Sequence, residues 1–281
     1  MTAAILDNPA EVLADLATRL RAGEVVPYLG PGISELAETP TPMTTAALAD
    51  FLGSKVRLPA RAIGNVWAAA QYIESYRHRQ TVTALMQEAF ATPVEPSPLH
   101  RWLAELAPPL VVDSWYAGEM RRALSGREGW VEVQGTHRAV ITDPAWYRFY
   151  MPDGTECEEA EAEGTDTLLY TPHGSIAPAG NFLISDADYV EVLTEIDIQT
   201  PIPEEVRRRR TGKSFLFLGC HFDDQLLRTY ARQVMKRSGG AHYAVVEVDG
   251  LTRNECRFLE EQEITAIDMP LDRAIAMLLD G

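Results

Sequence analysis

Apolar and polar positions follow two different periods along this chain, and the change from one period to the other marks its elements. Near the start, apolar residues recur at helical spacing, at Val12, Leu13, Leu16 and Leu20. Asn8 precedes this run as a cap, with Pro9 at the first helical position. The pattern predicts a helix that ends at Gly23, followed by a strand in "EVVPYL".

The residues after this strand are mostly helical up to about position 107. One helix is marked by the apolar residues Ile63, Val66, Trp67, Ala70 and Ile73. Further helices are predicted in "TVTALMQEAF" and "EPSPLHRWLAEL", and a second buried strand in "LVVDSW". We therefore predict a helical insertion over residues 35 to 107, approximately.

Residues 126 to 170 have a different pattern. "GWVEVQGTHRAVIT" and "AWYRFYMPDGTE" are typical of β-hairpins, the second with an Asp-Gly turn, and "ECEEAEAEGTD" is typical of an acidic loop. These segments predict a small β-hairpin insertion over about 126–166.

Strands and helices alternate again after residue 166. "TLLYTPHGS" predicts a strand that ends at His173, and "SFLFLG" is almost wholly apolar, as in a parallel sheet covered on both faces. A helix follows in "FDDQLLRTYARQVMKRS", for which Asp223 is the predicted cap. The sequence thus predicts one domain over residues 1–281, with an α/β, Rossmann-like, doubly wound and mostly parallel sheet that carries the two insertions.

Charge and composition exclude several classes of function. The formal net charge of −16 opposes binding to nucleic acid, which is bound through Lys and Arg. No apolar stretch is long enough to cross a bilayer and no basic-then-apolar leader follows Met1, so the expected location is the cytoplasm. The three cysteines lie far apart and form neither a four-Cys zinc site nor a disulfide framework. The basic run Arg207 to Arg210 is expected to be a solvated helix end.

A glycine-rich turn, Gly30-Pro31-Gly32-Ile33-Ser34, follows the first strand. Glycines let backbone N–H groups approach a diphosphate, and they equally serve a tight strand-to-helix turn by geometry alone. The dinucleotide pattern G-x-G-x-x-G is not completed, because Glu35 stands at the third glycine. "TGKS" at 211–214 is not a phosphate loop either, because it precedes a strand instead of following one.

Two further turns follow predicted strands. His173-Gly174 stands where one strand ends, so the imidazole is a candidate general base, and a structural histidine fits the same pattern. Gly219-Cys220-His221 follows the strand "SFLFLG". Because ligands of open α/β sheets bind at the carboxyl ends of strands, the three turns together predict a slot for a nucleotide.

The order and content of these turns resemble the sirtuin-like family of NAD-binding proteins, in its bacterial branch without zinc. The first turn is similar to the family's Gly-Ala-Gly-x-Ser loop, with Pro31 in place of Ala. His173-Gly174 is similar to its His-Gly, and "FLFLGCHFDD" to its strand, turn and Asp. The resemblance spans residues 12 to 270, approximately.

The resemblance implies NAD, or ADP-ribose, lying across the strand ends of a Rossmann-type sheet. It places Gly30, Gly32, Ile33 and Ser34 at the diphosphate, and Gly219 and Cys220 at the adenine-side ribose. His173 then takes the place of the catalytic histidine. The activities known for such proteins are protein deacylation and NAD hydrolysis.

The chain departs from the family in two respects. It lacks the four-cysteine zinc module of the deacylases, so we expect no metal and, if there is catalysis, an NAD glycohydrolase. In "LVVDSWYAGEM", Trp115 and Ala117 stand at the family's Asn and Asp. An indole cannot position a water as an amide does. Either Asp113 supplies the missing carboxylate from the same strand face, or the pocket holds a nucleotide beside Trp115 without cleaving it.

Three functions are therefore compatible with the sequence. We favour a protein that binds NAD or ADP-ribose and has weak or lost hydrolase activity. The alternatives are an active NAD glycohydrolase that uses His173 and a non-catalytic assembly protein with a vestigial pocket. The expected partner is a nucleotide ligand, with neither a membrane nor nucleic acid, and a homo-oligomer is left open.

Overall fold

A mostly parallel sheet of nine strands runs through the part of the chain that the structure describes. The computed structural model describes residues 8–36, 39–136, 146–195 and 202–280, apart from the side chains of residues 193–195. The described strands are β1 (Val25–Leu29), β2 (Leu110–Asp113), β3 (Trp130–Gly135), β4 (Tyr147–Tyr150), β5 (Glu156–Cys157), β6 (Thr167–Thr171), β7 (Gly174–Ser175), β8 (Asn181–Phe182), β9 (Ser214–Leu218), β10 (His242–Val246) and β11 (Ile264–Asp268).

Helices cover both faces of this sheet. The described helices are α1 (Pro9–Arg21), α2 (Gly32–Glu35), α3 (Thr45–Lys55), α4 (Val66–Arg77), α5 (Arg79–Ala89), α6 (Pro98–Leu106), α7 (Glu119–Leu124), α8 (Asp186–Glu195), α9 (Glu204–Arg210), α10 (Gln225–Met235), α11 (Arg253–Glu261) and α12 (Leu271–Asp280). α1, α6, α7 and α12 pack on one face, and α3, α4, α5 and α8 to α11 contribute to the core on the other.

The strand order is β11-β10-β9-β1-β2-β6-β3-β4-β5. All pairings from β11 to β3 are parallel, and only β3-β4 and β4-β5 are antiparallel. The predicted doubly wound, Rossmann-like α/β fold is therefore confirmed. Because the central strands are covered on both faces, their side chains are apolar on both, as Phe217 and Leu218 are in β9.

Of the two predicted β-hairpins, the second is formed by β4 and β5 at one end of the same sheet, and the first half of the other is β3. β3 lies in the sheet beside β6, and β4 and β5 extend it with antiparallel pairing. Gly154 has a φ of +91° in the turn between β4 and β5, which accounts for the Asp-Gly signal. The second half of "GWVEVQGTHRAVIT" lies outside the described residues.

Two helix starts differ in detail from the sequence predictions. α4 begins at Val66 with Asn65 as its cap, so Ile63 lies before the helix and its side chain is 67% exposed. The cap of α10 is Asp224, whose carboxylate accepts the N–H groups of Leu226 and Leu227, and not Asp223. Both Asp residues offer the same capping group, so the sequence alone did not distinguish them.

The prediction of a solvated basic end for α9 was wrong for two of its four arginines. Arg209 and Arg210 are buried. Arg209 donates to the carboxylate of Glu205 at 2.7 Å and to the carbonyls of Pro109 and Ala162 at 2.6 and 2.7 Å. Arg210 donates to the carbonyls of Gln233 and Val234 at the end of α10. The two guanidinium groups therefore connect α9 to neighbouring segments, and Arg210 supplies donors to the last carbonyls of α10, which lack partners within their helix.

Candidate functional site

The crevice at the carboxyl ends of β1 and β9 is the topological switch point of the sheet. These strands are neighbours, and the chain leaves β1 towards β2 on one side and leaves β9 towards β10 on the other. The loops that follow such strands diverge, and ligands of open α/β sheets bind between them. The turn after β1, residues 30–34, and the turn after β9, residues 219–223, are therefore placed where a ligand is expected.

The two turns contact each other through their backbones. The Gly32 N–H donates to the Gly219 carbonyl at 2.9 Å, and the Gly30 N–H donates to the Leu218 carbonyl at 2.9 Å. A Cβ on Gly30 would lie 2.6 Å from the Cα of Cys220, and one on Gly219 would lie 2.6 Å from the nitrogen of Ile33. Geometry alone thus requires these glycines, and the Gly32 N–H already has an acceptor within the protein.

An open cleft of about 520 Å³ lies on one side of this contact. It is bounded by Gly32 and Gly219 of the two turns and by the residues that follow β10 and β11. Val246, Leu251 and Met269 give it apolar surface, and Cys220 lies at its edge. In open α/β sheets, a cleft at this position is where ligands bind.

Carboxylates dominate the charge of the cleft. Its lining includes Glu35, Glu247, Glu255 and Asp272, and among the described residues that line it no Lys or Arg occurs. His221 is the cationic candidate, and its Nε2 lies 2.8 Å from the Glu35 carboxylate. This hydrogen bond raises the pKa of His221 above its ordinary value. The pair also joins the turn after β1 to the turn after β9.

The space on the other side of the turn contact is nearly filled. Between Pro31, Trp115, Cys220 and Phe222 it measures about 20 Å³, room for about one water molecule. Trp115 is buried, and its indole N–H donates to the Pro42 carbonyl at 3.2 Å. The indole also packs on aromatic neighbours, the rings of Phe90 and Tyr116. The indole therefore bounds this small space.

His173 is enclosed in an aromatic cluster. Its side chain is 1% exposed, and Nδ1 lies 3.0 Å from the hydroxyl of Tyr189. Its ring packs against Tyr230 at 4.7 Å between centroids, and Nε2 has no hydrogen-bond partner among the described residues. Burial lowers the pKa of His173 to about 3. Within the described chain, neither its hydrogen bonds nor its ring contacts reach the two glycine turns.

The sequence analysis missed one acidic residue, Glu119. The Ser34 hydroxyl donates to the Glu119 carboxylate, so Ser34 faces a carboxylate within the protein. Asp113 is also buried, and it accepts the Trp115 N–H at 3.3 Å. Burial raises the pKa of Asp113 to about 7, with the charge of Glu119 as the next cause, and burial raises the pKa of Glu119 to about 7. An acid in the first turn of a helix usually interacts with the helix dipole, so the position of Glu119 in the sequence does not indicate its pairing with Ser34 and Asp113.

Asp113→Asn is expected to stabilise the protein at alkaline pH. A free Asp ionises near pH 4. Between about pH 4 and pH 7, therefore, Asp113 keeps its proton in the folded state and has lost it in the unfolded chain. The stability that this proton contributes is full below about pH 4 and is lost as the pH rises through about 7. We expect the variant to raise the free energy of unfolding by roughly 1–3 kcal/mol near pH 8.5 and by much less near pH 5.

Urea unfolding of the Asp113→Asn variant and the wild type at both pH values measures this effect. Asn keeps an oxygen that can accept the backbone N–H of Trp115, and the comparison of the two pH values separates the effect of the charge from that of the altered hydrogen bonds, which is the same at both. An equal difference at the two pH values would show that the carboxyl titrates normally in the folded protein.

Comparison with known proteins identifies the fold family. A scan of known protein families matches the SIR2-like domain over residues 109–267, which is more than half of the chain. The chain belongs to the SIR2-like domain family. The resemblance inferred from the three turns is thereby confirmed at the level of the family. A search of curated proteins found no match.

The matched part of this SIR2-like chain runs from the start of β2 to β11. It contains Trp115, His173 and the turn after β9, whereas the glycine turn after β1 precedes it. In the residues that the structure describes, no three His, Cys, Asp or Glu side chains are grouped to hold a metal ion. None of the described helices is both long enough and apolar enough to span a bilayer. The expected absence of zinc and the cytoplasmic location stay predictions.

Proposed function

We propose that this SIR2-like protein binds ADP-ribose, or the ADP-ribose part of NAD, in the cleft at the switch point, and that it cleaves NAD slowly or not at all. One observation carries the proposal, namely the difference between the two sides of the turn contact. The side towards β10 and β11 has about 520 Å³, and the side towards Trp115 has about 20 Å³. An adenosine half fits the first, and a nicotinamide ribose does not fit the second without movement of the indole.

The cleft offers partners for a ribose and an adenine. Ribose hydroxyls donate hydrogen bonds, and carboxylates accept them, as the acidic residue of dinucleotide-binding folds does at the end of a neighbouring strand. Glu247 follows β10 directly, and Glu35 follows the turn after β1 directly. Both line the cleft, so both are candidates for this role. The apolar surface of Val246, Leu251 and Met269 suits the faces of the base.

The diphosphate is the demanding part of the ligand, because the cleft is acidic. His221, when protonated, supplies a positive charge at the edge of the cleft. The backbone N–H groups of Cys220 and His221 donate to no other described residue, which leaves them available to an anion. We therefore expect a modest affinity that increases as the pH falls and His221 becomes protonated.

The surroundings of the catalytic candidates support slow cleavage. By the sequence resemblance, Trp115 stands in place of the family's Asn. Its indole N–H donates to the Pro42 carbonyl, and the Asp113 carboxylate lies near Glu119 and accepts the backbone N–H of Trp115. His173 is enclosed by Tyr189 and Tyr230. The loss of a positioned polar group commonly costs orders of magnitude in rate.

One observation favours the second candidate function, NAD glycohydrolysis. Nε2 of His173 is buried and without a partner among the described residues, and buried polar atoms normally have partners. A ligand hydroxyl or an attacking water that entered the aromatic cluster would satisfy it. His173 would then serve as the base that activates this water.

Nicotinamide release and calorimetry together decide between these functions. We expect saturable heat with ADP-ribose, and nicotinamide release from NAD by the wild type within about twofold of that by His173→Ala. Release that is fast in the wild type and lost in the variant would replace the proposal with the glycohydrolase. The absence of heat with either ligand would reject both functions.

A further inference from the structure

Three arginines line a groove on the surface of a chain whose net charge is −16. This groove, of about 320 Å³, lies between α10 and α11. The residues that line it recur one helical turn apart on each helix, so they form two facing stripes. We call it the arginine groove, and its charged members are Arg228, Arg232, Arg257 and Glu261.

The structure holds two of these arginines in place and leaves the third unpaired. Arg228 donates to the backbone carbonyls of Phe222 and Asp223. Arg257 pairs with Glu261 at 2.6 Å. Arg232 is exposed and forms no ion pair with any residue in the described part of the chain. The lining of the groove therefore holds three arginines and one carboxylate, and Arg228 and Arg232 form no ion pair within the described residues.

A second groove, of about 670 Å³, has the opposite charge. It lies between α9 and the single helical turn at residues 159–162, and its charged members are Glu159, Glu163, Glu204, Glu205 and Arg208. Arg208 pairs with Glu205 at 2.5 Å, and the Glu159 carboxylate accepts the Glu205 N–H. Glu163 and Glu204 are exposed to solvent. Glu204, with 82% of its side chain exposed, also lies 3.7 Å from the guanidinium of Arg207, in an ion pair on the surface of α9. We call this the acidic groove.

Both grooves belong to the same face of the sheet. α9, α10 and α11 bury their apolar residues in the same core cluster, through Val206, Val234 and Phe258. Arg210 connects α9 to the end of α10. The arginine groove lies on the far side of α10, towards α11, and the acidic groove lies on the far side of α9. The arginine groove and the acidic groove thus lie on opposite sides of the helix pair α9 and α10.

Side-by-side patches of opposite charge favour a two-fold contact between copies. A two-fold axis that passes between α9 and α10 relates two copies so that the α10 side of one lies opposite the α9 side of the other. It sets each arginine groove against the acidic groove of the other copy, and complementary potentials fix the register of such a contact. We propose that this face is a self-association surface, on which the arginine groove of each copy receives Glu163 and Glu204 of a second copy of the chain.

A charge exchange between two variants tests this surface. One variant carries Arg232→Glu and Arg257→Glu, and the other carries Glu163→Lys and Glu204→Lys. Sedimentation velocity at low salt is expected to show a dimer for the wild type and a dissociation constant weakened on the order of tenfold or more for each variant alone. An equimolar mixture of the variants is expected to restore the dimer, because both contacts then pair opposite charges.

Two controls keep this test specific. Arg127→Glu with Glu128→Lys changes exposed charges in the loop between α7 and β3 and is expected to leave the dimer unchanged. Circular dichroism verifies that each variant is folded. High salt is expected to dissociate the wild type, since exposed charges are screened within about 10 Å at 0.1 M salt.

Two outcomes would overturn the proposal: a wild type that is monomeric at every concentration, or a mixture of the variants that stays monomeric while the wild type dimerises. Oligomers larger than a dimer in the mixture would also overturn the two-fold arrangement, because a two-fold contact closes at the dimer. No residue of either groove lines the nucleotide cleft, so the result is independent of the proposed function.

Discussion

Gly30→Ala is expected to destabilise the protein by roughly 2–3 kcal/mol and to abolish the binding of ADP-ribose. A Cβ at this position would lie 2.6 Å from the Cα of Cys220, and the neighbouring carbonyl of Gly219 is closer still. These are backbone atoms, so no side-chain rotation relieves the overlap. The turns after β1 and β9 must separate, and the hydrogen bond between Gly32 and Gly219 is lost with them.

Urea unfolding and calorimetry with ADP-ribose measure the two effects of Gly30→Ala. The matched control is Gly53→Ala in α3, where the nearest atom to the new Cβ is a side-chain carbon at 3.5 Å. Alanine is the better helix former, so the control is expected to be neutral or slightly stabilising. Wild-type stability in Gly30→Ala would show that the two turns do not contact each other as described.

Leu251→Trp is expected to weaken ADP-ribose binding by roughly tenfold or more, with little change in stability. Leu251 lies in the loop before α11, is half-buried and lines the open cleft. An indole at this position occupies space that the adenosine half requires. Because the cleft is open to solvent, the larger side chain fits without moving the core.

A calorimetric titration compares Leu251→Trp with the wild type. Ile63→Trp is the matched control, since Ile63 is 67% exposed and lies outside the cleft. The control is expected to bind as the wild type does. Unchanged binding by Leu251→Trp would place the ligand elsewhere on the protein.

Much of the fold was predictable, because its strands are short apolar runs that end at glycine or proline. "SFLFLG" and "TLLYTPHGS" became β9 and β6 of a parallel sheet, as expected. Position 63 was misjudged for a physical reason: an apolar residue one turn before a helix has the right spacing, and only the Asn65 cap shows that the helix begins later. The membership of β3 in the central sheet depends on its pairing with β6, which local sequence does not encode.

The site was predictable only where local geometry determines it. Glycine at positions 30, 32 and 219 indicated that backbone segments approach closely there. In the structure, the turns after β1 and β9 contact each other at these glycines. The burial of Arg209, and the meeting of Ser34 with Glu119, depend on residues distant in sequence. His173 had the pattern of a strand-end base, and its enclosure by two tyrosines follows from helices that come later in the chain.

The central claim is that the cleft holds the ADP-ribose part of the ligand while Trp115 closes the nicotinamide side. The ratio of the dissociation constants of ADP-ribose and NAD, measured by calorimetry on the wild type, tests it most directly. We predict that ADP-ribose binds at least as tightly as NAD, because a space of about 20 Å³ gives the nicotinamide ribose nothing to contact. NAD binding about tenfold tighter than ADP-ribose, some 1.4 kcal/mol, would contradict the account.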